Sequence, residues 1–171
     1  MQQLIELVKQ NNRKAQEKLY KQFADKMFLT CFRYVRNEND AADILNSGFF
    51  KAFKSILSCE FENEILFESW LRKIMINESL LFLRKTKNDD RFIELENNSI
   101  NGFTENHLAN EDYLKLIRNL PVGYRTVFNL FAIEGYSHQE IAKLLDIAES
   151  TSRSQLSRAR ELLQNMIKKE L

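Results

Sequence analysis

Proline occurs once and glycine four times in the 171 residues. That scarcity removes most of the turn punctuation an all-β fold needs and favours long helices joined by polar connections. Cysteine is limited to Cys31 and Cys59, and histidine to His107 and His138. Their spacing fits no zinc pattern, and two thiols make no disulfide framework. Reduced thiols suit a cytoplasmic protein. The start, Met1-Gln2-Gln3-Leu4-Ile5-Glu6, lacks the basic and apolar regions of a secretion signal. Apolar runs fall far short of the roughly 18 residues that a membrane helix requires. No glycine-rich phosphate loop, metal cluster or nucleophile–base pair stands out as a motif. The expectation is therefore a non-enzyme with no catalytic residues, no cofactor, no metal and no small-molecule substrate.

What is present is a hydrophobic fraction of 44%, enough for a core. The net charge of +1 is unevenly spread: +4 over residues 1–87, −6 over 88–112 and +3 over 113–171. Two mildly basic blocks flank an acidic segment. This pattern is compatible with nucleic-acid contact and equally with solvated helix faces.

Helical periodicity organises the first block. Leu19, Phe23, Met27 and Cys31 recur every four residues, with Val35 next in line and Tyr20, Phe28 and Phe32 broadening the stripe. Cys31 is expected to be a buried, inert thiol. Arg36 to Asp40 breaks the pattern. Asn39 can cap a second helix, with Asp40 and Asp43 in its first turn, ending near Leu57. Phe49, Phe50 and Phe53 cannot all face inward, so one contacts a partner or lies exposed. Lys51 and Lys54 are expected to be solvated. A third helix is expected from Phe67 to Lys85, with Trp70, Ile74 and Leu81 on one line and Leu71, Met75 and Phe82 beside it. Asn77 is the polar interruption of the first line.

Residues 88–110 lose periodicity and read as an acidic, flexible linker that could hold a helical turn around Phe92-Ile93-Glu94-Leu95. After it, one helix ends near Asn119. Pro121 suits the first turn of the next, which carries Val127, Leu130, Phe131 and Ile133. Gly135 can stop that helix in the left-handed conformation. Ser137-His138-Gln139-Glu140 forms a capping box, in which His138 reads as a surface residue. The short helix it opens carries Ile141, Ala142, Leu144 and Leu145. Asp146-Ile147-Ala148 is a tight turn, and a second helix begins near Glu149. Two short helices around a three-residue turn, with Ala142 where they cross, describe a helix-turn-helix. At 100° per residue, Ser152, Ala159 and Leu163 fall within about 60° of Leu156, an inward face. Ser150, Arg153, Ser154, Ser157 and Arg158 fall on the other half. Small residues there permit close approach to a DNA groove, and arginine can pair with guanine edges or phosphates.

These segments carry a resemblance. Leu120 to Phe128, Glu134 to Ala142 and Thr151 to Arg160 resemble the fourth conserved region of extracytoplasmic-function sigma factors, subunits that give bacterial RNA polymerase its promoter specificity. Ala42 to Phe49 and Phe67 to Asn77 resemble the second region of the same family. The resemblance implies an all-α protein of two small helical domains. Residues 1–87 would form a three-to-four-helix bundle for region 2, 88–110 a linker, and 111–171 the helix-turn-helix domain of region 4. It implies −35 promoter contacts at Arg153, Ser154, Gln155, Ser157 and Arg158, and −10 contacts at Trp70, Lys73 and Asn77. Periodicity alone makes Trp70 a core residue. It also implies docking on the β′ clamp helices of core polymerase through Asp43, Asn46, Ser47 and Phe50, a second polymerase contact at the β flap, promoter DNA as ligand and an anti-sigma factor as partner. The acidic linker matches the position of the family's connector near the RNA path, or is a solvated spacer. There are departures from the family pattern. Asn46-Ser47 replaces a Gln and an acidic residue, Ile76 a basic residue, Leu81 an Asp, Asp146 a turn Gly and Ala148 a Ser cap. An autonomous helix-turn-helix regulator and a sigma-like interaction protein are the alternatives that the residues leave open.

Overall fold

The computed structural model describes residues 1–87 and 109–170, and among these every regular element is helical. The chain separates into two compact units, Met1–Lys85 and Thr86–Leu171. The expected linker and its helical turn near Phe92 lie outside the described residues, except that Ala109 and Asn110 already belong to a helix. None of the described helices is long and apolar enough to cross a membrane.

The first unit holds four helices. Helix α1, Gln2–Lys9, buries Ile5 and Val8. Asn11, at φ 60°, turns the chain into α2, Arg13–Phe32. Asn12 caps α2, its side-chain oxygen accepting the Ala15 amide at 3.1 Å. The expected stripe is the buried one: Leu19, Phe23, Met27 and Cys31 point inward. Burial pushes the Cys31 thiol up to about 12, which leaves no thiolate at neutral pH.

Helix α3, Glu38–Ser55, is capped by Asn37 and not by Asn39. Asn37 has extended backbone, and its Oδ1 accepts the Asp40 amide at 2.8 Å while its Nδ2 donates to the Asp40 carboxylate at 2.7 Å. The first turn consequently contains Glu38 and Asp40, with Asp43 beyond it. A short 3-10 turn, Ile56–Ser58, closes the helix.

Helix α4, Glu64–Lys87, starts a turn earlier than expected, because the Asn63 side chain accepts the Leu66 amide at 3.0 Å. Its deepest line is Phe67, Leu71 and Met75, each fully buried. Trp70 and Ile74 lie at the margin of the core. The core line is thus displaced from the Trp70 line to its neighbour. Where α3 and α4 meet, Gly48 leaves room for Met75: a Cβ added there would stand 2.3 Å from Sδ. Outside the core, ion pairs tie α4 to its neighbours, Lys26 to Glu68 at 2.7 Å and Lys51 to Glu78 at 2.5 Å. Lys51 is therefore paired as well as solvated.

Among its described residues the second unit holds α5 (Ala109–Asn119), α6 (Val122–Phe128), α7 (His138–Leu145) and α8 (Glu149–Glu170). Pro121 occupies the cap position of α6, one residue before its first turn. Helix α6 continues as a wider π-helical turn, Asn129–Ile133, and α8 packs against both α6 and α7. Arg125 is only 1% exposed. Its Nη1 donates to the carbonyls of Arg118 and Leu120, at 2.8 and 3.0 Å, which satisfies orphan acceptors at the end of α5.

Candidate nucleic-acid and polymerase interfaces

The helix-turn-helix is built from local devices that the sequence announces. Gly135, at φ 77°, ends the π-helical turn. The Ser137 amide donates to the Glu140 carboxylate at 2.8 Å, and the Ser137 hydroxyl accepts the Glu140 amide at 3.2 Å, a reciprocal capping box. Asp146 adopts the left-handed conformation at φ 54°, and the Ile147 amide closes on the Ala142 carbonyl at 3.1 Å. Three residues thus suffice to reverse direction between α7 and α8.

Helix α8 is two-faced as the wheel requires. Ser152, Leu156 and Ala159 are buried, and Leu163 is half-buried. Ser150, Arg153, Ser154, Ser157 and Arg158 are exposed. The Arg153 and Arg158 side chains are 62% and 67% exposed, and each is paired with a carboxylate of its own helix, Glu149 and Glu161 respectively. Such surface pairs are weak and exchange readily for a phosphate or a base edge. Gln155 is half-buried beside Gly123 at the start of α6, so it lies at the rim of this face.

In the first unit, Asp43, Asn46, Ser47 and Phe50 are all exposed, at helical spacing along one side of α3. The opposite side buries Ala41, Ile44, Leu45, Gly48, Phe49 and Ala52. Phe50 is the outward member of the phenylalanine trio, 62% exposed, with the Lys54 ammonium 4.2 Å from its ring centre. On α4, Lys73 and Asn77 are exposed one turn apart. Trp70 is half-buried, packed on Phe61 and Phe67 with centroids 5.0 and 5.6 Å away, and so keeps a free edge. The predicted residues therefore form three separate faces, on α3, α4 and α8. Among the described residues no group of His, Cys, Asp and Glu is arranged to hold a metal ion.

The family model for Sigma-70 region 2 matches residues 19–88, and that for Sigma-70 region 4 matches residues 110–163. The chain is 32% identical to the ECF RNA polymerase sigma-E factor of Haemophilus influenzae, covering 97% of this chain and 94% of the relative. It is 29% identical to the sigma-E factor of Escherichia coli K12, covering 96% and 92%. The chain belongs to the extracytoplasmic-function sigma factors of bacterial RNA polymerase. Solved structures share the fold at 20% identity. CnrH in complex with the cytosolic domain of CnrY has a TM-score of 0.53, covering 98% of this chain and 97% of that one. RpoE from Bartonella quintana, solved with the anti-sigma factor NepR, has 0.56, covering 89% and 96%.

Two departures of this sigma factor from the family pattern are absorbed by the fold. Ile76 is buried, so no cation is missing from the surface at that position. Asp146 takes the left-handed turn conformation without glycine. Asn46 and Ser47 are different, because both are exposed. His138 also departs from its expected place on the surface. It is half-buried, its ring stacked on Phe131 at 4.5 Å and its Nδ1 at 2.9 Å from the Ser152 hydroxyl. A fourteen-residue separation and a π-helical turn gave the sequence no periodic signal for this contact.

Proposed function

We propose that this sigma factor divides its work between its units along the three exposed faces. Asp43, Asn46, Ser47 and Phe50 on α3 dock on the β′ clamp helices of core polymerase. Trp70, Lys73 and Asn77 on α4 hold the opened −10 element, where a half-buried aromatic ring, a cation and a short amide suit single-stranded bases. Arg153, Ser154, Gln155, Ser157 and Arg158 read the −35 duplex. Residues 1–87 and 111–171 act as the two binding domains, with 88–110 as the connector and the β flap as the second polymerase contact. The reading includes an anti-sigma partner that masks these faces, cytoplasmic action, and no covalent chemistry by the chain itself.

The observation that carries this reading is the split character of α8. A helix whose inner side supplies small buried residues and whose outer side supplies two exposed arginines, held only by surface ion pairs, among serines is shaped for the major groove. The arginines have distinct roles. Arg153 lies near the start of α8, the end that enters the groove. Its replacement by alanine loses on the order of 1–3 kcal/mol and relaxes preference at one base position. Arg158 is more than a turn further on, where the helix meets the backbone. Its loss weakens binding to all sequences and lowers the salt slope by about one unit. Binding of each mutant holoenzyme to single-base −35 variants at several salt concentrations tests both. Folded mutants with wild-type affinity and selectivity would remove α8 from −35 recognition.

A further inference from the structure

We propose that His138 is a positioning residue for the −35 interface, setting the roll of α8 through its contact with Ser152. The proposal rests on the reading that α8 recognises the −35 element. Ser152 is 0% exposed and sits on the inward face, directly before Arg153. Its hydroxyl lies 2.9 Å from His138 Nδ1, and each group can donate or accept. The other buried groups on this side of α8, Leu156 and Ala159, are apolar, and their packing confines the roll of the helix to a range. A hydrogen bond is directional and narrows that range further.

The imidazole can serve as a reference point because its own place is determined twice. His138 is the first residue of α7, immediately after the Ser137 cap, so the capping box locates its backbone. Its ring stacks on Phe131, with centroids 4.5 Å apart and planes inclined by 22°. Phe131 belongs to the π-helical turn, and its face also receives the Arg160 guanidinium of α8 at 5.8 Å. The π-helical turn, α7 and α8 thus meet around one ring pair. With side chains about 5–6 Å from a helix axis, a roll of about 20° carries a tip some 2 Å. That displacement is enough to break a bidentate contact to a base edge.

The test uses holoenzyme assembled with the full chain and a panel of single-base −35 variants. Ser152→Ala removes one oxygen atom. His138→Phe keeps the stack on Phe131 and removes the hydrogen bond. Each is expected to shrink the ratio between the best and worst −35 variants roughly three- to tenfold. The double variant should do no worse than either single, because all three lack the same bond. Transcription from a pre-melted template without a −35 element should stay at the wild-type level. A loss of binding by one common factor across the panel would signify a purely structural role and overturn the proposal. Wild-type discrimination by folded Ser152→Ala overturns it as well, and that variant decides alone if His138→Phe does not fold. Arg153→Ala, run in parallel, separates the two levels. If it relaxes preference at its one base position and Ser152→Ala leaves discrimination at the wild-type level, only the role of His138 fails. If neither alters discrimination, Arg153 reads no −35 base and the reading beneath the proposal fails with it.

Discussion

Replacing Gly48 by alanine tests how tightly α4 is seated on α3. In the middle of a helix alanine is favoured over glycine by about 1 kcal/mol, so helix propensity alone makes the substitution stabilising. The structure reverses the sign. The new methyl would lie 2.3 Å from Met75 Sδ and 2.9 Å from Cε, well inside contact distance. Met75 is 0% exposed, so its thioether cannot swing out into solvent. Overpacking of this kind costs about 1–3 kcal/mol, moderated by the flexibility of methionine. The expected net effect is a loss of up to about 2 kcal/mol. Met75→Ala in its turn opens a cavity and destabilises by about 2–5 kcal/mol. In that background the clash is gone, and Gly48→Ala should stabilise by about 0.5–1 kcal/mol. The change of sign is the signature of direct contact, a coupling of about 2 kcal/mol in a double-mutant cycle. The assay is urea denaturation followed by the fluorescence of Trp70, the single tryptophan, which lies in the first unit. A Gly48→Ala protein that is more stable in both backgrounds would refute the argument that α3 and α4 touch at this point.

Asn77→Ala is expected to impair promoter opening more than closed-complex formation and to leave stability within about 0.5 kcal/mol, because the residue is exposed. Permanganate footprinting on a duplex promoter and binding to a pre-melted bubble check this; wild-type behaviour of the folded variant on both would remove Asn77 from the −10 face. Arg125→Leu strands the Arg118 and Leu120 carbonyls and should destabilise the second unit by about 2–5 kcal/mol, with Arg125→Lys recovering only part, since an ammonium lacks the guanidinium fork. Thermal unfolding followed by circular dichroism should move, while the Trp70 signal of the first unit should not.

What the sequence made legible was what local chemistry determines. The capping box at Ser137, the left-handed residues at Gly135 and Asp146 and the two faces of α8 all arise within a few residues of one another, and all stand in the structure as read. The N-terminus of α3 was ambiguous for a local reason. Asn37 and Asn39 are both good caps, and the choice falls to Asn37 because it bonds reciprocally with Asp40. In α4, two adjacent apolar lines compete, and size misleads. Trp70 is the bulkiest residue, yet large rings are rarely buried completely, and the smaller Leu71 and Met75 fill the interior. Helix α1 escaped notice because its eight residues carry only two buried positions, too few to establish a period. The His138–Ser152 contact depends on the π-helical turn that brings Phe131 under the ring, and no pattern of residue types encodes that turn.

The side of α3 proposed to meet the polymerase offers the sharpest use of a departure from the family pattern. Asp43, Asn46, Ser47 and Phe50 lie on one exposed side, so substitutions there can alter binding with little effect on the core. Asn46 is lightly engaged, its Oδ1 accepting from the Tyr20 hydroxyl at 3.4 Å, and lengthening it to glutamine sacrifices little. The resemblance places a glutamine and an acidic residue at positions 46 and 47. If the clamp presents a cation opposite that acid, Ser47 leaves the cation unpaired in this chain. Asn46→Gln with Ser47→Glu should therefore tighten binding to core polymerase. A rim charge pair contributes about 0.2–1 kcal/mol, so the expected gain is roughly 1.4- to fivefold, larger at low salt and fading as screening increases. Phe50→Ala should act in the opposite direction at every salt concentration, because apolar burial does not depend on ionic screening. Titration of a labelled chain with core polymerase across a salt series measures both. An unchanged affinity in the double variant together with an unchanged affinity in Phe50→Ala would mean that this side of α3 does not meet the clamp.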